Sequence, residues 1–498
     1  MAKQHLWENF ESSSFWIDVD SLHPARIDAW YYQPQFIENN KRLQDWVSAG
    51  GGTLRRLSGL ASVTYGYMPT EDYWESTNGA PFLRVTNFTA NLFTNLSDLK
   101  YVNPKAKENP KFTLKFGDTI VVQCGNTTGR IAFVSSDIEG FVFPSFCLRV
   151  RSRDRGVNPF YLVALFDTSA VQTQIQRTIS VTSVRPNTTK PALESIMIPI
   201  PDRRIQDYIG AKVELAERCR AEAANTYNQA LKRFDILLDS RHFHPRIGLT
   251  NKIDISRLTQ RLNGEFYLPR YFDLEEHLAS LSIKIDIIGN LVRAPIIRTS
   301  TPKRDEEAPI PCILTSDIDP QQINSHQPSL RITPDVHEFH AGKLESYDVV
   351  YTSVGPPVGE AAVVLPQHLP MAVGGDVSVI RTTKDLHPGF LCLYLNSVYG
   401  QMQNDRYSRG IRQRRVYPED IGSFLIPIPK RSDQEYIGDR IIKYELFNEV
   451  ALGLVAEAKS DIEALIEGTI DTNAILSGKL KPPTWETINE SLGSGTDE

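Results

Sequence analysis

No apolar run in this chain of 498 residues approaches the ~18–20 residues needed to cross a bilayer, so no membrane-spanning helix is expected. The opening MAKQHLWENFESSSFW has no continuous apolar stretch and is not expected to be a secretion signal. Cysteine is scarce. The five are odd in number and form no CxxC pair, which argues against a disulfide framework or a thiolate zinc site and for a reducing, cytoplasmic location. Cys124, Cys147, Cys219, Cys312 and Cys392 are expected to be small core residues. Positive charge is also short: 54 Lys and Arg against 60 Asp and Glu leave a net −6. An autonomous nucleic-acid binder is usually basic, so any such contact needs a local concentration of cations or a partner. Enzyme signatures are missing as well. There is no GxxxxGKS/T phosphate loop and no Asn/Asp-Pro-Pro-Tyr/Phe tetrapeptide of the amino-methyltransferase type. His242 with His244, and His337 with His340, have no third ligand at a known spacing, so no metal is expected.

What is present is present twice. Residues 198–210 read IPIPDRRIQDYIG and residues 426–438 read IPIPKRSDQEYIG. Pro199, Pro201, Gln206, Tyr208 and Gly210 recur as Pro427, Pro429, Gln434, Tyr436 and Gly438, a shift of 427 − 199 = 228. RIDAWYYQPQF from Arg26 is echoed by RLNGEFYLPRY from Arg261, with Tyr32 and Pro34 recurring as Tyr267 and Pro269. So long a period is no solenoid, whose repeats run roughly 20–50 residues. Two similar domains in one chain are expected.

Within each half, β-branched and aromatic runs bounded by Gly or Asn predict short strands at FLRVTNF (82–88), FGDTIVVQC (116–124) and GRIAFV (129–134). CILTSDI (312–318) and YDVVYTSVGPPVGEAAVV (347–364) stand at the same places in the second half. Asp118, Gly125 and Gly129 match Asp348, Gly355 and Gly359, each at a shift of 230, and the glycines predict a turn with positive φ. Apolar residues at helical spacing predict a helix over 161–176, and 390–403 takes its place in the second half.

Each IPIP motif predicts a strand end followed by a long helix, because proline fits neither a helix interior nor a central strand. The helices are expected over about 203–238 and 433–470. Ile209, Ala216, Ala223, Ala230 and Leu237 lie seven apart, as do Ile437, Tyr444, Ala451, Ala458 and Leu465. The alternate seams hold Val213, Arg220, Tyr227 and Phe234, and Ile441, Asn448, Val455 and Ile462, which is a heptad pattern. An antiparallel pair is expected. At 1.5 Å per residue, about 35 residues make a rod of roughly 50 Å.

With these motifs duplicated in order, the chain resembles a specificity subunit of a type I restriction-modification system, from Arg26 to about Lys481. The resemblance implies an α+β fold: two α/β target recognition domains in pseudo-two-fold arrangement, separated by two long antiparallel coiled-coil helices. The segments are then a lead-in (1–25), a first domain (26–201), a spacer helix (202–240), a second domain with its connecting segment (241–429), a second spacer helix (430–472) and a tail (473–498). Each domain would read one half of a bipartite, asymmetric double-stranded DNA target. The helices would set the spacing and dock two methyltransferase subunits. The chain would have no catalytic site and bind no cofactor. S-adenosylmethionine, ATP and Mg would serve the methyltransferase and restriction (translocase) subunits. The chain departs from the pattern in its lead-in and at Asn263, which replaces Asp28 in the second opening motif. Two other readings stay open: a specificity subunit of a related phage-defence methylation system, and a scaffold that binds protein alone.

Base edges are read by Arg, Asn, Gln, Ser and Thr, and phosphates by Arg, Lys and hydroxyls. Two stretches just before the IPIP motifs have that composition. The first offers Arg177, Ser180, Thr182, Arg185, Asn187 and Lys190. The second offers Arg406, Tyr407, Arg409, Arg412, Gln413, Arg414 and Arg415, with Asp405 against five arginines, 5 − 1 = +4. Further candidates are Arg84, Thr86 and Asn87 after the first strand, Thr315 and Ser316 at the matching place, and Thr127 and Arg130 at the glycine turn.

Overall fold

The computed structural model describes residues 22, 26, 28–89, 92–96, 98–154, 156–179, 186–259, 261–325, 328–410 and 412–493. Helix and strand are mixed throughout. The chain forms two compact units, Met1–Arg218 with Ala451–Glu498, and Cys219–Val450. The lead-in 1–25 lies almost entirely outside the described residues.

In the first unit a four-stranded antiparallel sheet has the order Ala61–Tyr65, Cys147–Ser152, Thr119–Val122, Ile131–Phe133. Its core holds Leu83, Leu114, Ile120, Val122, Val134 and Phe143, all buried. The second unit repeats the plan: Ile297–Arg298, Val377–Ile380, Val349–Thr352, Ala361–Val363, again antiparallel. A buried aspartate begins the central strand of each. Asp118 receives two hydrogen bonds from Arg151 at 2.6 Å, and Asp348 receives Arg381 Nε at 3.1 Å. Each carboxylate also takes a local backbone N–H, from Lys115 or Glu345. The matched aspartates therefore fix the entry to the sheet, which accounts for their recurrence.

The first strand of each half is shorter than the sequence predicts. Ala80–Phe82 and Ile310–Ile313 are strands, but Val85–Asn87 and Thr315–Asp317 turn into single 3-10 turns. Asn87 Oδ1 accepts Arg84 N–H at 2.7 Å and Asp317 Oδ2 accepts Leu314 N–H at 2.8 Å. These local side-chain bonds compete with the ladder. The predicted internal helices are each split in two, Pro159–Phe166 with Ser169–Thr178 and Pro388–Asn396 with Val398–Tyr407. Thr168 and Ser397 donate their hydroxyls back to Leu165 and Tyr394 carbonyls at the breaks.

The IPIP segments pair at strand edges, as proline demands. Met197–Ile200 runs antiparallel to Thr53–Arg56, and Leu425–Ile428 to Lys284–Ile287, each in a two-stranded ladder. Helices Arg203–Leu237 and Arg431–Glu467 follow. Gly468, at φ 73°, ends the second, and Thr469 N–H returns to Ala464 O at 2.8 Å. Heptad residues Ile209, Ala216, Ala223, Ala230, Ile437, Ala451, Ala458 and Leu465 are all buried. In the first unit Lys212 meets Glu457 at 3.1 Å and Asp461 at 2.8 Å. In the second, Tyr227 faces Tyr444 and Arg233 pairs with Asp433, so these helix segments run antiparallel.

The repeated glutamine and glycine of the helix starts tie helix to domain. Gln206 Oε1 accepts Asn158 N–H and Gln434 Oε1 accepts His387 N–H. Asn158 and His387 themselves cap the helices at Pro159 and Pro388. A Cβ on Gly210 would lie 2.7 Å from Asn158 Oδ1, and one on Gly438 only 1.9 Å from His387 Nδ1. Glycine is the residue that lets the long helix pass these caps.

Candidate nucleic-acid interface

In both units the polar stretch before the IPIP strand folds against the glycine turn. Gly125 and Gly129 take φ of 103° and 91°, and Gly359 takes 99°, as their positions predict. Gly355 has no positive φ. A Cβ there would meet Pro357 O at 2.0 Å, so close backbone approach keeps this position glycine. Cys124 bridges to Asn187, and Gly125 N–H donates to Pro186 O at 3.0 Å. In the second unit Arg414–Arg415 pairs with Val354–Gly355, with Val354 opposite Arg415. In each unit the glycine turn thus meets described residues of the polar stretch, Pro186 and Asn187 in the first and Arg414–Arg415 in the second.

Several candidate side chains are held inside this edge. Arg177 donates Nε to Tyr31 O at 2.9 Å and stacks 3.9 Å from the Tyr31 ring. Its counterpart Arg406 donates to Phe266 O at 3.2 Å, pairs with Glu275 and is 12 % exposed in its side chain. Both arginines therefore staple the opening motif to the internal helix. Tyr32 and Tyr267 complete that motif by donating to Arg26 O and Arg261 O, each at 2.6 Å. Tyr407 packs on Phe266 and Phe424, and burial raises its hydroxyl pKa. Asn87 is buried and spends its amide on Asn95 O. Arg130 donates to Phe88 O at 3.0 Å, tying the 3-10 turn to the glycine turn.

Other candidates are presented outward. Thr86 and Ser316 are exposed, Ser316 sharing a hydrogen bond with Ser329, and Thr315 and Thr127 are half-buried. Arg84 is anchored by Asp98. Lys190 pairs with Glu194 at 3.6 Å. Asn187 Oδ1 is buried without a hydrogen-bond partner among the described residues. Ser180, Thr182 and Arg185 lie outside the described residues.

Arg412, Gln413, Arg414 and Arg415 are all exposed. Arg409 clasps Asp420 through two contacts of 2.9 Å, and Arg414 pairs with Asp405 at 2.8 Å. Arg415 donates to Gln413 at 3.0 Å. Arg412 has no side-chain partner among the described residues. Two further arginines join them: Arg261 reaches Asp420 at 3.4 Å and Arg257 reaches Glu275. Burial lowers the Arg261 pKa, Asp420 opposes this, and Arg409 and Arg406 add to it. Seven arginines (257, 261, 406, 409, 412, 414, 415) stand with three carboxylates (275, 405, 420), leaving 7 − 3 = +4. An excess of this kind draws a polyanion even when the whole chain is acidic. Sequence reasoning misses Arg257 and Arg261 as members of this patch, because about 145 residues separate Arg261 from the carbonyls of Arg406 and Tyr407 that it binds.

Three of the four histidines are otherwise engaged. His337 and His340 bond Met371 O and Val373 O, and His242 bonds Asp239. Cys147, Cys219, Cys312 and Cys392 are buried, and Cys124 is half-buried. Among the described residues no helix is long and apolar enough to cross a membrane.

Residues 53–233 match the family model of the type I restriction modification DNA specificity domain. No curated protein sequence matches the chain. The chain is also similar to the Type-I restriction-modification system S subunit from M. genitalium, at 13% identity and TM-score 0.39, over 84% of this chain and 96% of that one. A structure described as the basis of complex assembly and conformational transition of the type I R-M system has 15% identity and TM-score 0.30, over 84% and 98%. The HsdS subunit from Thermoanaerobacter tengcongensis has 16% identity and TM-score 0.29, over 84% and 97%. The specificity-domain match takes in the four-stranded sheet, the glycine turn and most of the first long helix.

Proposed function

We propose that this chain is the non-catalytic DNA-recognition and assembly subunit of a type I restriction-modification complex. The observation that carries the reading is repetition. The sheet order, glycine turn and helix start within the specificity domain recur in the unit Cys219–Val450. Two domains of one plan but different loops suit a target with two unlike halves. The turn reads NTT between its glycines in one half and PPV in the other.

In this reading the outward residues of each edge, Arg412 and Arg415 foremost, meet DNA. Arg177, Arg406 and Asn87 build the platform. Half-sites read by two such domains lie about one helical turn apart, centre to centre. The two long helices pair as a spacer and dock two methyltransferase subunits, which bring S-adenosylmethionine. Restriction subunits bring ATP-driven translocation and Mg. The net charge of −6 makes binding by the chain alone weak, and partners supply the remaining phosphate neutralisation. The target adenine leaves the stack to reach a partner's active site.

Selection from a randomised duplex pool tests this, using the chain co-purified with its methyltransferase. Two short fixed motifs at a constant gap are expected. A single contiguous motif, or none, contradicts the reading.

A further inference from the structure

Helix Arg431–Glu467 carries two carboxylates that DNA reading does not use. Glu445 and Glu449 stand one turn apart, and Glu445 is 2 % exposed. Glu445 Oε1 accepts Ile323 N–H at 2.8 Å, and Glu449 Oε1 accepts Ser325 Oγ–H at 2.7 Å. They therefore grip the hairpin formed by Ile318–Asp319 and Gln322–Ile323 and the segment just after it. Glu445 Oε2, in contrast, is buried and has no hydrogen-bond partner among the described residues. No lysine or arginine ion-pairs with Glu445 among those residues either. A buried carboxylate oxygen left so is expensive, and the neighbouring carboxylate adds repulsion. Asp319, on the hairpin, adds further negative charge toward Glu445.

Ligand atoms of Glu445, Glu449 and His368 lie within 4.8 Å of one another. His368 is already committed. Its Nδ1 accepts Leu365 N–H at 3.1 Å, so the neutral ring holds its proton on Nε2, which faces Glu449 Oε1 at 3.1 Å. A metal on Nε2 would need that proton moved to Nδ1, where the backbone N–H stands. His368 is thus a donor that orients Glu449, and Glu445 Oε2 is the open carboxylate oxygen of the group.

We propose that Glu445 and Glu449 hold a divalent cation of the hard, oxygen-seeking class, such as calcium, manganese or magnesium, which locks the hairpin of the second domain to the long helix. Ligand atoms no more than 4.8 Å apart are close enough for one ion to reach both carboxylates at calcium–oxygen bond lengths of about 2.3–2.6 Å. Zinc, which favours nitrogen and sulfur, suits the pair less. Water completes the coordination. The site leaves no His/Cys motif in the sequence, because its ligands come from one helix face and its closure from a distant hairpin.

The test uses the full chain stripped with EDTA, then unfolded thermally in rising CaCl2, MnCl2 or MgCl2 against NaCl of matched ionic strength. A saturable Tm rise of roughly 5–10 °C is expected at about 100 times Kd. Glu445→Gln, which keeps the shape and removes the charge, abolishes the rise. Crystals of the unaltered chain soaked in manganese should give an anomalous peak between Glu445 and Glu449, which decides the matter even if the variant does not fold. No rise beyond matched salt, a rise that survives Glu445→Gln, or manganese found only elsewhere would each overturn the proposal. DNA binding enters none of these readouts, so the recognition reading stands or falls separately.

Discussion

Gln434 accepts the backbone N–H of His387 at 3.0 Å while its own amide donates to Pro429 O at 3.1 Å. One buried side chain thereby joins the helix start to the cap of the domain's internal helix. Gln434→Ala leaves that N–H unpaired in the interior and should cost about 1–3 kcal/mol. Chemical denaturation should show the loss in the unfolding midpoint. Gln206→Ala should behave alike, because Gln206 makes the matching bond to Asn158 at 3.1 Å. An unchanged midpoint for both variants would remove the explanation for this repeated residue.

The repeated glycine makes a sharper contrast. Gly438→Ala places a methyl 1.9 Å from His387 Nδ1 and should destabilise by about 1–3 kcal/mol through overpacking. Gly453, within the same helix, has nothing within 4 Å of the place a methyl would occupy, so Gly453→Ala should stabilise by about 0.5–1 kcal/mol. Opposite signs in parallel thermal melts are the expected result.

The arginines of the second edge should separate into two groups. Arg412→Ala with Arg415→Ala should weaken DNA binding by the assembled complex and lower the salt slope by roughly 2, with little change in stability. Arg406→Ala should instead lower the unfolding temperature, because it leaves Glu275 with Arg257 alone and removes the cation stacked on Phe266. Anisotropy titrations over a salt series, paired with melts, check both. If Arg412 and Arg415 prove silent in DNA binding, this edge is not the reading surface.

Glu360 gives a pH dependence. Burial, aided by the nearby Asp319 charge, raises its carboxyl from the usual range to about 7. The neutral form is favoured by folding, so its contribution is fully present below the unfolded pKa of about 4.5 and is lost as pH rises through about 7. Stability measured in EDTA should therefore decline between pH 5 and about 8. Glu360→Gln should flatten that decline, and a decline that persists unchanged in the variant would assign it to another group.

Deleting one heptad from each long helix should shorten the gap between half-sites while both half-site sequences persist. Methylation mapping of the shortened chain reads this directly. Altered half-site sequences at an unchanged gap would contradict a spacer role.

Much of the scaffold was legible because local rules and repetition coincide. The prolines of IPIP forced an edge strand and a helix start, and the heptad residues foretold which faces are buried. The matched Asp118 and Asp348 signalled a shared strand entry, though their partners Arg151 and Arg381 could not be named from spacing. The same distance in sequence hid the structural work of Arg177 and Arg406. Both sit in stretches whose composition resembles a DNA-contacting loop, yet each is claimed by a backbone carbonyl about 140 residues away. Composition reports what a side chain can bind, and the fold determines whether it is free to do so. Gly355 shows the same limit, since a glycine needed for close approach looks in sequence like one needed for positive φ.

The central claim is that this chain chooses a DNA target in two halves. Its most direct test is methylome sequencing of cells expressing the chain with its neighbouring methyltransferase, against cells lacking the chain. The account predicts a bipartite adenine-methylated motif with a fixed gap, present when the chain is expressed and absent without it. Methylation that is the same in both cells, while the two proteins still co-purify, would contradict it.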